Sequence, residues 1–243
     1  MITCPCGKEH EISSFSVGRR TIQRQLPDLC DECYDEMVAE SDAEREAREA
    51  RDVKFFRDLE WLALCPPLFS STKIDELPLK DISEKALLWG GQGGLLFKGP
   101  TGTGKTRTAY LLLKKFLYQD KKVLAFDFID FGRQASEAAL ANRVSSWIYP
   151  IQRADVLLLD DIGKKKMTPS VEESFFDVVN YRMIHNLATI FTFNMGGKEL
   201  QRTMSNDRGE AIVRRLREYC QMVLFAPGST ISPPVVSVAG ERL

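Results

Sequence analysis

The chain is 243 residues long, 44% hydrophobic and 28% charged, with a formal net charge of -1. These values fit a soluble globular protein and exclude one drawn to nucleic acid by overall charge, so any such contact must come from a local patch. No apolar run approaches the roughly 20 residues that cross a bilayer. Met1-Ile2-Thr3-Cys4 lacks the charged and apolar regions of a signal peptide. Both observations predict a cytoplasmic protein with reduced cysteines and no membrane partner.

Residues 1–33 hold Cys4, Cys6, Cys30 and Cys33. In a reducing compartment such crowding points to a metal site rather than to disulfides. Cys30-x-x-Cys33 is a zinc half-site across which a helix can start. Cys4-Pro5-Cys6 is one residue tighter than the usual C-x2-C knuckle. The expected arrangement is a structural zinc on all four cysteines, with His10 as a substitute ligand. Free thiols and a redox role are the alternatives. A metal would help because some 30 residues cannot bury enough core alone.

Residues 34–64 are strong helix formers with few large apolar side chains, including the run from Ala43 to Arg51. They predict a charged connector helix, with Asp28 as a candidate N-cap. Acidic residues outnumber basic ones there, so the helix itself is a poor nucleic-acid binder. Cys65-Pro66-Pro67 ends it. The remainder, residues 65–243, reads as one nucleotide-binding domain, with the isolated Cys65 and Cys220 in its core.

Gly94 to Lys98 is a short apolar run bounded by glycine and reads as a buried strand. Gly99-Pro100-Thr101-Gly102-Thr103-Gly104-Lys105-Thr106 follows and fits G-x-x-x-x-G-K-[ST] at every fixed position. Its glycines let successive N–H groups turn toward phosphates; Lys105 reaches the β and γ phosphates, and the Thr106 hydroxyl joins a Mg²⁺ shell. Arg107 to Asp120 carries apolar residues at helical spacing, completing the strand, loop and helix that the motif requires.

Val123–Phe126 predicts a second strand and Phe131–Trp147 a helix. Val156 to Asp161 is an apolar strand ending in two acids. Asp160, at the carboxyl end of that strand, is placed to hold Mg²⁺, and Asp161 to orient or deprotonate the attacking water. Val171–His185 predicts a helix and Thr189–Phe193 a strand, with Asn194 at its end facing the γ-phosphate or the water. Arg208–Tyr219 predicts a helix rich in arginine, and Gln221–Phe225 a last strand. The residues after Pro227 read as irregular. Continuous apolar strands between helices indicate an α/β fold: a P-loop NTPase with a parallel five-stranded sheet and helices on both faces.

These residues in this order resemble an AAA+ ATPase. The closer likeness is to bacterial replicative-helicase loaders of the DnaC type and to their relatives, the IstB-type transposition helpers. It rests on Leu157-Leu158-Leu159-Asp160-Asp161-Ile162-Gly163, on Glu173, Asn180-Tyr181-Arg182 and Thr189-Ile190-Phe191-Thr192, and on Gly209-Glu210 followed by Arg214-Arg215-Leu216. It covers roughly residues 90–226. The resemblance implies an arginine finger acting on the ATP of a neighbouring subunit, with Arg215 first in order. The group commonly has Arg where this chain has Ala211, so Arg208 and Arg214 stay open. The short stretch after Phe225 predicts that the C-terminal helical lid of full AAA+ proteins is absent, which fits the loader group.

The resemblance further implies an ATPase with Lys105, Asp161, Asn194 and Arg215 as catalytic residues, slow without partner or DNA. It implies self-association with ATP, docking of residues 1–60 on a replicative helicase, and contact with single-stranded DNA during replication. Lys164-Lys165-Lys166, and Arg133, Arg143 and Arg153 with Phe131 and Trp147 interleaved, are the candidate DNA contacts. The alternatives are an IstB-type helper of a DNA transposase and a non-hydrolysing ATP-gated adaptor.

Overall fold

The computed structural model describes residues 1–11, 14–17, 20–23, 29–163, 166–194, 196–228 and 231–232. Asp28, the expected N-cap, lies outside them, as do Lys164 and Lys165. The chain divides into two compact units, Met1–Phe56 and Arg57–Leu243.

In the first unit, β1 (Ile2–Thr3) pairs antiparallel with β2 (Glu9–His10), and β3 (Ser14–Val17) with β4 (Arg20–Gln23). A tight turn joins the first pair: Gly7 N donates to Cys4 O and Cys4 N to Lys8 O, both at 2.8 Å. Helix α1 (Asp31–Leu64) begins between Cys30 and Cys33, as the spacing suggested, and runs unbroken for 34 residues. Pro66 and Pro67 end it, and Pro67 opens the short helix α2 (Pro67–Ser70), where its missing N–H is of no consequence.

The second unit continues through a 3-10 turn at Ile74–Glu76 into α3 (Lys80–Leu87), β5 (Gly94–Lys98) and α4 (Lys105–Leu117). Then come β6 (Val123–Asp127), α5 (Phe128–Leu140), α6 (Val144–Arg153) and β7 (Val156–Ile162). The unit closes with α7 (Pro169–Ile184), β8 (Ala188–Phe193), α8 (Gly197–Arg202), α9 (Asn206–Tyr219), β9 (Cys220–Leu224) and β10 (Ile231–Ser232). The sheet order is β10-β9-β5-β8-β7-β6. The strands from β9 to β6 are parallel, giving the expected five, while β10 adds an antiparallel edge against Met222 and Val223. The tail is therefore not wholly irregular.

Alternation along the strands explains the continuous apolar runs. Leu157 and Leu159 of β7 face one layer with Phe131, Phe175 and Phe191. Leu158 faces the other layer with Leu95, Phe97, Leu112 and Ile190. Trp61, in the last two turns of α1, is buried in that second layer and donates from its indole to Ser70 O at 3.3 Å. Cys65 and Cys220 are both buried.

The helix expected over Phe131–Trp147 is two helices. Asn142 takes φ 52°. Arg143 N then donates back to Ala138 O at 2.8 Å, and Asn142 N to Ala139 O at 3.1 Å. This is the left-handed cap that asparagine tolerates and that turns the chain out of a helix.

Among the described residues the most buried charged group is Arg182, 0% exposed on α7. Its guanidinium donates to Ile151 O, Gln152 O and Ala154 O at 3.0, 3.0 and 2.8 Å, to Ala188 O at 2.7 Å and to Thr189 Oγ1 at 2.8 Å. It thereby ties the end of α6 to the start of β8. Burial lowers its pKa to about 10, but these acceptors replace the water it has lost. Arg182→Met is expected to lower the unfolding free energy by about 3 kcal/mol, because four main-chain carbonyls lose their donor. Urea denaturation monitored by circular dichroism measures the difference.

Candidate nucleotide site

The loop between β5 and α4 comes first. Gly104 is the N-cap of α4 and takes φ 93°, a conformation that favours glycine, and no side chain caps the helix there. The first N–H groups of α4 therefore have no side-chain cap, which suits an anion. Thr103 Oγ1 donates to Pro100 O at 2.9 Å and pins the turn. Lys105 is only 5% exposed. Its ammonium donates to Gly99 O at 2.8 Å and to Pro100 O at 2.7 Å. Burial pulls its pKa below the usual lysine value, opposed by the charges of Asp161 and Asp160. Leu77 and Pro78 flank the loop at Gly104.

The acids at the end of β7 lie beside this loop. Asp160 Oδ1 accepts from Thr106 Oγ1 at 3.0 Å and from Thr192 Oγ1 at 2.6 Å. Its burial raises its pKa, and the two hydroxyls pull the other way. Asp161 N donates to the same Thr192 oxygen at 2.7 Å, and Asn194 Nδ2 donates to Asp161 Oδ1.

A regular strand would turn these adjacent acids to opposite faces. Here the β7–β8 register shifts between Leu159 and Ile162, and Asp161 takes φ 61°. The irregularity lets both acids meet residues at the end of β8. Lys105, Thr106, Asp160, Asp161 and Asn194 are thus brought together. Thr192 is the member that sequence reasoning missed. Its position two residues before Asn194, on the same strand face, is the signal that could have found it. A hydroxyl with a carboxylate is a hard-oxygen donor set, which fits magnesium.

The arginines on α9 are not part of this group. Arg208 acts electrostatically on Asp177 of α7. Arg214 lies 3.9 Å from Glu218. Arg215 stacks its guanidinium on the Phe176 ring, 4.7 Å from the centroid. The start of α9 is held from α7: the buried Glu172 accepts from Ser205 N at 3.2 Å and from the Ser205 hydroxyl.

The candidate DNA contacts separate in the same way. Phe131 is 0% exposed in the core between Phe126, Phe128 and Trp147, so it cannot stack on a base; this corrects the expectation. Trp147 is partly buried and donates to Gln134 Oε1 at 3.1 Å. Arg133 pairs with Asp130 and Glu137, and Arg153 stacks on Tyr149 and Tyr181. Arg143 is exposed and lines a cleft between α5 and α6 with Trp147. Lys166 is exposed and lines a cavity of about 230 Å³ with Asp161, Arg133 and Val171.

In the first unit, the sulfurs of Cys4, Cys6, Cys30 and Cys33 all lie within 4.8 Å of one another. Cys6 Sγ and Cys30 Sγ are 3.7 Å apart. A tetrahedral zinc with Zn–S bonds of about 2.3 Å has edges of about 3.8 Å. N–H groups of Cys30 and Cys6 lower the Cys4 thiol to about 6, while the Cys6 and Cys30 thiols push the Cys33 thiol up. Crowded thiols of this kind ionise together only around a cation. The quartet could hold a metal ion, and its donors fit zinc. The His10 side chain lies outside the described structure.

The family described as IstB-like ATP binding protein matches residues 32–230. The chain belongs to that family. It is 28% identical over 138 residues to the replicative helicase loader DnaI of Bacillus subtilis, a match covering 56% of this chain and 44% of DnaI. It is 27% identical over 126 residues to the chromosomal replication initiator protein DnaA of Bacteroides thetaiotaomicron, covering 51% of this chain and 24% of that protein. The match thus spans less than half the length of these relatives.

A solved structure of DnaI superposes with a TM-score of 0.53 at 19% identity, covering 68% of this chain and 92% of that one. The replication initiator DnaA bound to AMPPCP and single-stranded DNA superposes with a TM-score of 0.54 at 17% identity, covering 65% and 50%. Together with the family match, these likenesses show a P-loop ATPase fold. Among the described residues no helix follows β9, and no helix is long and apolar enough to cross a membrane.

Thr192→Val is expected to lower stability by about 1–2 kcal/mol, since it leaves the Asp161 N–H without its acceptor; thermal unfolding measures it. Elemental analysis of the purified chain is expected to find a single zinc per molecule, absent from Cys30→Ser. A wild-type zinc content near zero is the contrary result.

Proposed function

We propose that this protein is an ATPase that loads a replicative helicase onto single-stranded DNA. The observation that carries the reading is the convergence of Thr106, Asp160, Asp161 and Asn194 beside the phosphate loop, at the carboxyl ends of β7 and β8. The similarity to a protein named as a replicative helicase loader supports the partner class.

The loop from Gly99 to Thr106 receives the triphosphate on its N–H groups. Lys105 exchanges the carbonyls of Gly99 and Pro100 for β and γ oxygens. Thr106 and Asp160 would hold magnesium, which would neutralise phosphate charge. Asp161 accepts the proton of the attacking water, and Asn194 orients Asp161 and that water. Arg215 acts on the nucleotide of a neighbouring copy, so ATP favours self-association around single-stranded DNA. The first 60 residues, with zinc on their cysteines, dock on the helicase. Turnover is slow without partner or DNA.

The family description favours a second reading, a helper ATPase of a DNA transposase. Co-purification distinguishes the two, a hexameric helicase supporting the first and a transposase the second. Steady-state turnover with DNA and partner present separates both from a non-hydrolysing adaptor.

Lys105→Ala is expected to abolish ATP-dependent association with single-stranded DNA and to slow turnover on the order of 100-fold. Fluorescence anisotropy of a labelled oligonucleotide, with and without ATP-Mg²⁺, measures the association. Unchanged association would refute the mechanism.

A further inference from the structure

The arginines of α9 differ in what already engages them. Arg208 acts on Asp177, and Arg214 faces Glu218. Arg215 is half-buried, and among the described residues no carboxylate pairs with it; its guanidinium rests on the face of Phe176. These contacts have different chemical consequences. A nearby carboxylate offsets an arginine's charge even without a hydrogen bond, and a phosphate must compete with it. An aromatic face attracts the cation yet leaves the N–H groups in the guanidinium plane available. Phe176 is itself packed against the core between α7 and the sheet. The seat is also braced lengthwise, since Glu172, one turn earlier on α7, holds the start of α9 through Ser205. Gly209 sits so close to Gln201 O that a Cβ there would meet it at 2.9 Å, which fixes α9 against α8.

We infer that Phe176 is a positioning residue: it holds Arg215 away from carboxylate partners and oriented for the phosphate of a neighbouring copy. This rests on the reading of Arg215 as the arginine acting between copies. It also selects Arg215 over Arg208 and Arg214 on a ground independent of motif position, because Arg215 is the one stacked on a ring.

The test uses the full-length chain with its DNA and helicase. Phe176→Leu keeps apolar volume and loses the ring; Phe176→Tyr keeps the ring. Phe176→Leu is expected to lower kcat for ATP about 10-fold, with the KM for ATP and the nucleotide affinity of the dilute single chain unchanged. Phe176→Tyr should restore kcat. In an Arg215→Ala background, Phe176→Leu should cause no further loss, since a residue acting only through Arg215 has nothing left to act on.

Independent losses that multiply in the double variant, or weaker nucleotide binding in the dilute chain, would mean a packing role and overturn the inference. So would wild-type kcat in Phe176→Leu when Arg215→Ala is impaired. If Arg215→Ala itself turns over normally, the assignment of the trans-acting arginine fails. That failure is distinguishable from loss of the ATPase reading, which Lys105→Ala tests by itself.

Discussion

Asp160 is a carboxylate buried at the end of a strand, and two threonine hydroxyls from different elements hold it there. Thr106 comes from the first turn of α4 and Thr192 from the penultimate residue of β8. One oxygen of one side chain thus couples the phosphate loop to two strands of the sheet. Thr192 extends the chain by accepting from Asp161 N, and Asn194 closes it on the Asp161 carboxylate. Burial alone would favour the protonated acid. A divalent cation bound beside it would reverse that preference.

Helix α7 links this centre to the rest of the domain. Near its C-terminus Arg182 collects carbonyls from the α6–β7 connection and from the start of β8. Near its N-terminus Glu172 fixes Ser205, and between them Phe176 carries Arg215. One helix therefore sets where two strands begin and where the arginine-bearing helix sits. The charged groups responsible are buried, so rearranging either end requires finding new partners for several polar atoms at once.

The strand, loop and helix around Lys105 were legible because the motif specifies backbone as well as side chains. The acids of β7 were legible because they follow a continuous apolar run of strand length, and α/β sheets carry their ligand groups at the carboxyl ends of such strands. Thr192 was not, since a threonine in a strand is ordinary until register sets it opposite an acid. Arg182 is marked in the sequence only by the likeness it helps carry; helical spacing gives no hint that a guanidinium would be fully buried. Phe131 misled in the opposite direction. Its proximity to arginines suggested an exposed stacking group, whereas its i, i+4 relation to Ala135 marks the core face of α5. The break at Asn142 required recognising asparagine as a left-handed cap, and β10 lies in a segment without periodicity.

Asp161 occupies a left-handed conformation that L-residues other than glycine and, at times, asparagine or aspartate avoid. Glycine would suit that backbone better by about 1 kcal/mol, yet it would carry no carboxylate. On the proposed role of Asp161, robustness and turnover pull this one codon in opposite directions: a library of variants ranked by heat resistance alone would drift toward glycine there and lose the carboxylate.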